Sequence, residues 1–307
     1  MTKSISQAFT TSGIAGQGQC GSHNRKYNDF GAILLIFCIT LVIFKREIRP
    51  PEELVRGDVV TFFVPMFSFL GEQLRAGNIP GWNPHQFAGA PFAGDPESGW
   101  GYLPAMLLFT VFSPAVAIAG FVLFHLALSG TAAYVLGRVL GLSVLGALVA
   151  GVAYEFSWLY ERSTCCPAFI GVSSWLPVAL LGAELAIRSR DWRGRIGWWA
   201  VGGLAVSQML AAWTGQGSYY GLLALGSYVA YRSLIAPPDG FQRLLSRVGS
   251  LLVHGSALLA VGFALAATSI LPRFGIQRAL KRRGRRVSRN GGMGREIWRL
   301  GVISDPA

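Results

Sequence analysis

Charged side chains are what this 307-residue sequence has least of: Asp, Glu, Lys and Arg make up 14% of it, against roughly 25% in an ordinary soluble domain. That deficit argues against a water-soluble enzyme. Cysteine is scarce too, and the four present are badly placed for cross-linking: Cys38 lies inside an apolar run and Cys165 and Cys166 are adjacent, while Cys20 stands alone. No disulfide framework, redox centre or metal site follows from them. Acids are outnumbered, 15 against 27 Lys and Arg, for a net charge of +12, yet 10 of those 27 cations fall after Leu271. The excess belongs mainly to one tail, so nucleic acid is not the implied partner.

What the sequence has in quantity is apolar residues, 52% of the chain, gathered in long blocks between short charged strips. This is the layout of a multi-span membrane protein folded as one bundle in lipid. Residues 1–29 are polar and rich in Ser, Gly and Gln, and read as a disordered tail. The first apolar run, Gly31 to Phe44, is short for a span, so Tyr27 and Phe30 must extend it into an uncleaved first helix. Later runs near 102–113, 115–137, 139–154, 169–187, 196–212, 217–235 and 249–271 follow, several rich in Gly and Ala that let helices approach closely in lipid. Ser113-Pro114 breaks the second of these from the first, so 102–113 is expected as a half-helix leading into a span. The expected fold is all-α: a polytopic transmembrane helix bundle of about seven spans over residues 30–271, with a long first extracytoplasmic loop at 45–101.

Lys and Arg set the orientation. With the N-terminus cytoplasmic, the inner segments hold Lys3, Arg25, Lys26, Arg138, Arg188, Arg190, Arg193, Arg195, Arg232, Arg243 and Arg247, and the outer loops hold Lys45, Arg46, Arg49, Arg56, Arg75 and Arg162. The bias fits a multi-pass membrane protein with a cytoplasmic N-terminus. The Arg-rich residues 272–307 go against it, because seven spans put them outside; they read as a basic, disordered tail lying on anionic lipid.

Chemistry is expected where water reaches the chain, in the loop at 45–101, which holds Glu47, Glu52, Glu53, Asp58, Glu72, Asp95 and Glu97. Asp58, Thr61, Pro65, Ser68, Glu72 and Arg75 recur at steps of three and four, with Val60, Phe62, Phe63, Phe67, Phe69, Leu70 and Leu74 opposite. The pattern predicts an amphipathic interfacial helix from Asp58 to Gly77, its phenylalanines facing lipid and Pro65 a possible kink. Asp58 at its first turn serves either as a helix cap or as a general base held at the water–lipid boundary.

Residues 78–91 carry three prolines and two glycines and are expected to form a turn-built loop. Trp82 and Phe87 are available there for a sugar ring or for the lipid interface, and Asn83 and His85 are further candidates, His85 equally suited to a structural hydrogen bond. In Gly94-Asp95-Pro96-Glu97-Ser98 the two carboxylates read as a solvated turn or as hard ligands for a divalent cation; no resident cofactor is implied.

Taken together, Asp58, Pro65, the run Arg75-Ala76-Gly77-Asn78-Ile79-Pro80-Gly81-Trp82-Asn83-Pro84, then Gly89-Ala90-Pro91 and Tyr102-x-Pro104, resemble the bacterial YfhO-like membrane proteins of the GT-C glycosyltransferase superfamily. Tyr154-Glu155-Phe156-Ser157, Trp175-Leu176-Pro177 and Gln216 before Tyr219-Tyr220 extend the resemblance, which spans roughly residues 30–275. It implies transfer of a sugar from a polyprenyl-phosphate donor to a lipid, glycan or protein acceptor on the outer face of a bacterial cytoplasmic membrane, with the Asp58 carboxylate as the catalytic general base. Arg56 and Arg75 are then the nearest cations for the donor phosphate, with Trp82, Asn83, His85, Asp95, Glu97 and Tyr102 as substrate-binding candidates. Where the family has a Gly-His-Pro-Gln-like turn this chain has Trp213-Thr214-Gly215-Gln216-Gly217, so no histidine carries over. The resemblance fades after Leu271-Pro272, and the expectation is a shortened or frame-shifted product whose residues 272–307 lie outside the fold. A transporter, or a non-catalytic partner subunit in envelope glycan assembly, is the alternative, with Glu184 the clearest acid inside an apolar run.

Overall fold

The computed structural model describes residues 20–47, 57–86, 88–156, 166–238 and 243–275. Its helices are α1 (Cys20–Glu47), α2 (Val64–Arg75, entered through a π-helical turn at Val59–Phe63), α3 (Leu103–Val111), α4 (Pro114–Val139), α5 (Val144–Phe156), α6 (Pro167–Arg188), α7 (Trp192–Ala212), α8 (Gln216–Ala230, leaving through a second π turn at Tyr231–Ile235) and α9 (Leu244–Leu265). A final helical segment, α10, covers 267–275. Among the described residues four helical stretches, Tyr27–Lys45, Pro114–Val139, Pro167–Arg188 and Leu244–Leu265, are long and apolar enough to cross a membrane, and the fold is that of an all-α membrane bundle.

Local sequence explains where these helices begin. α3, α4 and α6 each carry a proline in their first turn, where its missing N–H costs nothing. Asp191 caps α7 by accepting from the Gly194 N–H at 2.7 Å. As the sequence predicts, α3 is a half-helix, cut off by extended backbone at Phe112 and Ser113. Two boundaries differ from expectation. α1 starts at Cys20, so residues 20–29 are helical rather than tail, while residues 1–19 lie outside the described part. Its early start has a partner to hold it: the Asp29 carboxylate accepts from Arg138 Nε at 2.7 Å and from the Tyr134 hydroxyl at 2.5 Å, both on α4. At the other end residues 272–275 extend α10 instead of beginning a disordered tail; residues 276–307 lie outside the described part.

The core runs through α6 and α7 and joins α2, α3, α4, α8 and α9 around Phe67, Phe109, Ala179, Val206, Met209 and Leu258. Helices touch backbone to backbone where side chains are smallest. A Cβ on Gly182 would meet Gly202 of α7, and one on Gly71 of α2 would run into the Phe109 carbonyl of α3. That second contact corrects the expected placement of α2. Phe63, Met66, Phe67 and Leu70 are buried against protein, Phe67 edge-on to Phe109 at 5.3 Å, so most of the apolar face is turned to α3 and α4 and not to lipid. Pro65 causes no mid-helix kink, since it sits in the first turn of α2 beside the π turn, where its lost N–H bond is absorbed.

The bundle has two ends of different character. One gathers Asp58, the 82–101 loop, Thr214 and α10. The other gathers Arg138, the α6–α7 turn, the end of α8 and the start of α9. At this second end Glu184 is fully buried and saturated: it accepts from Arg188 Nε at 2.6 Å, from Arg232 Nη2 and Nε at 2.7 and 2.8 Å, and from the Tyr228 hydroxyl at 2.9 Å. Arg188 also donates to the Val139 carbonyl at 2.9 Å, which pins α4 to the same knot.

Candidate functional site

Asp58 is exposed at the point where the chain enters α2, after Gly57 with its left-handed φ of +52°. The capping role open in the sequence is not taken up. Asp58 is itself helical (φ −65°, ψ −21°), whereas a capping side chain needs extended backbone to reach back to the first free N–H groups, and it makes no capping hydrogen bond. The π turn that follows closes with the Val64 N–H on the Val59 carbonyl, a widened turn of the kind that concentrates at functional positions.

Asp95 and Glu97 sit in a locked turn. The Glu97 N–H donates to Asp95 Oδ1 at 2.8 Å, and the Ser98 hydroxyl donates to the Asp95 carbonyl at 3.1 Å. The turn is tied to distant parts of the chain: the Thr214 N–H donates to the Pro96 carbonyl at 3.3 Å, Trp100 Nε1 to the Thr268 carbonyl at 3.0 Å, and the Leu103 N–H to Gln208 Oε1 at 2.8 Å. Arg273 closes the arrangement by donating to the Thr214 carbonyl at 2.5 Å.

These ties bring one group of charges together. Burial raises both acids, and Glu97 is raised further by the negative charges of Asp95 and Asp58, while Arg273 pulls both back down. Arg273 is itself lowered by burial, against the two carboxylates that raise it. Asp95 and Glu97 are therefore coupled to a cation the sequence had assigned to a tail, and Glu97 also feels the negative charge of Asp58. Among the described residues no group of three His, Cys, Asp or Glu side chains is placed to hold a metal ion.

The sign of the pH dependence follows. Because folding raises both acids, the docked turn is firmest in acid, where they are neutral folded or unfolded, and it weakens as pH climbs through the raised values. Replacing Arg273 with Gln removes the compensating charge and a charge-assisted bond to Thr214. The expected cost is about 1–3 kcal/mol near neutral pH, shrinking at about pH 4; unfolding curves at the two pH values check it.

Other predicted residues are placed differently. Arg75 is exposed at the far end of α2, roughly 25 Å from Asp58 at 1.5 Å per residue, too far to share a phosphate with it. Arg56 and Phe87 lie outside the described residues. Asn83 is buried and acts as a turn former, its Oδ1 accepting from the His85 N–H at 3.0 Å, and His85 stands edge-on to Phe69 at 6.2 Å. Trp82 is 57% exposed, lies over Gly89, and remains open to a ligand. The turn-built loop does contain strand: Trp82 and Asn83 pair antiparallel with Pro91 and Ala90, β1 and β2 of a minimal ladder.

Tyr102 is not solvent-facing. It is buried against His125, a residue the sequence reading passed over, and accepts from Trp175 Nε1 at 3.2 Å. His125 Nδ1 faces the Phe121 carbonyl at 2.5 Å and so carries the hydrogen there, which leaves Nε2 to accept from the Tyr102 hydroxyl. Trp175 also walls a cavity of about 590 Å³ lined by apolar side chains, among them Leu74, Leu103, Leu107, Val111 and Phe124. Such a groove suits a hydrocarbon chain and offers almost nothing to a polar ligand. Signals for the missed residues were slight: Arg273 is the first cation after the last apolar run, Thr214 lies in the turn that departs from the family pattern, and His125 sits within an apolar stretch. Searches against protein-family models, curated proteins and solved structures give no match for the chain.

Proposed function

We propose that this chain is a YfhO-like membrane glycosyltransferase of GT-C type, moving a sugar from a polyprenyl-phosphate donor to a lipid, glycan or protein acceptor. The observation that supports the reading is that Asp95 and Glu97 are held by Arg273 at one end of a helical membrane bundle, with the Asp58 charge reaching Glu97. In the reaction an acceptor hydroxyl loses its proton to Asp58 as its oxygen bonds to the anomeric carbon. The bond from that carbon to the phosphate oxygen breaks, and polyprenyl phosphate leaves as an anion. Arg273 takes the role first given to Arg56 and Arg75 and meets that charge, Trp82 offers a face for the sugar, and the groove beside Trp175 takes the hydrocarbon.

On this reading every apolar run except the half-helix at 102–113 crosses, which makes seven spans, the N-terminus is cytoplasmic and the Asp58 end faces outward. The concentration of Arg138, Arg188, Arg190, Arg193, Arg195, Arg232, Arg243 and Arg247 at the opposite end supports that orientation. One observation favours the second reading, transport: Glu155 is a fully buried acid in the middle of the bundle. Proteoliposomes of the full chain given a labelled polyprenyl-phosphate sugar and candidate acceptors separate the two. Labelled acceptor without movement of donor across the bilayer supports transfer; donor movement without new glycosidic product supports transport and overturns the enzyme.

A further inference from the structure

Glu155 takes no part in the sugar transfer proposed above, and its surroundings are unusual. It is fully buried near the end of α5, in a seam formed with α1 and α4. From the level of the Asp29–Arg138 ion pair, the eleven residues up α1 to Thr40 rise about 16 Å, which sets the carboxyl deep in the bundle. Its Oε1 contacts the Thr40 hydroxyl, and its Oε2 has no hydrogen-bond partner. Oε2 faces Gly130 of α4, where any Cβ would overlap it, and Ile36 of α1 closes the same space.

Counting hydrogens decides the state of this carboxyl. Thr40 Oγ1 has one hydrogen, and it lies 2.9 Å from the Ile36 carbonyl as well as against Glu155 Oε1. Were Glu155 ionised, one hydrogen would have to serve two acceptors, and a negative charge with an unpaired oxygen would sit in an apolar seam. With the proton on Oε1, each contact has its own hydrogen: Glu155 donates to Thr40, and Thr40 donates to the Ile36 carbonyl. Only a neutral carbonyl oxygen is then left without a partner, far cheaper than a buried charge.

Among the described residues no ion pair reaches Glu155. The titratable neighbours point elsewhere, Tyr154 to the Ser173 carbonyl at 2.8 Å, Tyr134 to Asp29, and His125 to Tyr102 and Phe121. On α1, Cys38 is exposed, and Ser129 of α4 donates to its own Leu126 carbonyl at 2.8 Å. No charged group among the described residues acts on Glu155.

We propose that Glu155 is an intramembrane proton-binding site, protonated while α1 is seated against α4 and α5, and that loss of its proton unseats α1. The site needs neither the transferase nor the transport reading. Its occupant is a proton, held by a Glu–Thr–carbonyl relay.

Two measurements on the full chain in lipid nanodiscs test this. Wild-type protein treated with dicyclohexylcarbodiimide, a lipid-soluble reagent that requires a protonated carboxyl, should gain an adduct on the Glu155 peptide. The carboxyl O–H adds across one C=N bond, oxygen to carbon and hydrogen to nitrogen, and the acyl group then shifts to nitrogen to give a stable N-acylurea. The adduct should be absent in Glu155→Gln and fade in wild type as the pH is raised. An infrared difference spectrum, wild type minus Glu155→Gln, should show the carbonyl stretch of a carboxylic acid that moves in D₂O. The unfolding temperature of wild type should fall further in alkali than that of Glu155→Gln, which retains only the pH response of the Asp95–Glu97 turn. Carboxylate bands in place of the acid band, no adduct on wild-type Glu155, or the same alkaline response in both proteins would overturn the proposal. The labelling result needs no variant, so it stands even if Glu155→Gln fails to fold.

Discussion

Asp58→Asn should lower sugar transfer about 10²–10⁴-fold, the usual worth of a positioned general base, while the protein still inserts and folds. Asn keeps the size and shape of Asp but does not accept a proton at neutral pH. The side chain is exposed and caps no helix, so its loss removes no bond that supports the fold, and a fall in turnover reads directly as lost chemistry. Glu72→Gln is the matching control: Glu72 is an exposed acid on the same helical segment, about 21 Å along it from Asp58, and its replacement should leave transfer unchanged. Initial rates with a labelled donor, at equal amounts of inserted protein, are the measurement. Equal rates for Asp58→Asn and wild type would remove Asp58 from the chemistry.

The largest effect on stability is expected at the opposite end. Glu184→Gln leaves the Arg188 and Arg232 guanidinium groups, whose side chains are 31% and 14% exposed, packed together without their counter-charge. Breaking a buried ion cluster by removing one partner typically costs about 3–5 kcal/mol. Tyr228 would keep a partner in the amide oxygen, so the loss belongs mainly to the two cations. The triple variant Glu184→Leu, Arg188→Met and Arg232→Met removes every charge at once and should recover most of that loss, because the cluster also carries a desolvation cost of its own. Unfolding in mixed micelles distinguishes the cases; a single variant as stable as wild type would show that water reaches this knot.

Much of the architecture was legible because lipid leaves a coarse signature. Each expected apolar run is mainly helical, with a turn at 140–143 opening the run at 139–154, and the break at Ser113-Pro114 falls where the backbone becomes extended. What the pattern could not supply was direction. The stripe from Asp58 to Arg75 says that one face of a helix is covered, and protein and lipid cover an apolar face equally well, so the packing of Phe67 and Gly71 on α3 had no separate signal. The π turn at Val59–Phe63 was illegible for a similar reason, since one extra residue per turn hardly disturbs the spacing of side chains.

Legibility of the site divides the same way. Asp58, Asp95 and Glu97 stand out as rare acids in a polar loop, and the fold brings the charges of Asp58 and Asp95 to bear on Glu97. Arg273 did not stand out, because nine further cations follow it and composition alone made it one of a disordered group. Its partners, Thr214 and the Pro96 turn, are distant in sequence and meet it only through the fold. Glu155 was quoted only within a family motif, since one carboxyl at the edge of an apolar run does not announce that Thr40 and Gly130 surround it.

The account rests most heavily on Asp58 standing in water on the outer side of the membrane. A full-length variant with Cys20, Cys38, Cys165 and Cys166 replaced by Ser and Asp58→Cys introduced gives a single thiol to probe with a membrane-impermeant reagent in intact bacterial cells. Rapid labelling from outside is the predicted result. Labelling only after the membrane is opened, or no labelling in folded protein at all, would place that position on the cytoplasmic face or inside the hydrocarbon and contradict the enzyme.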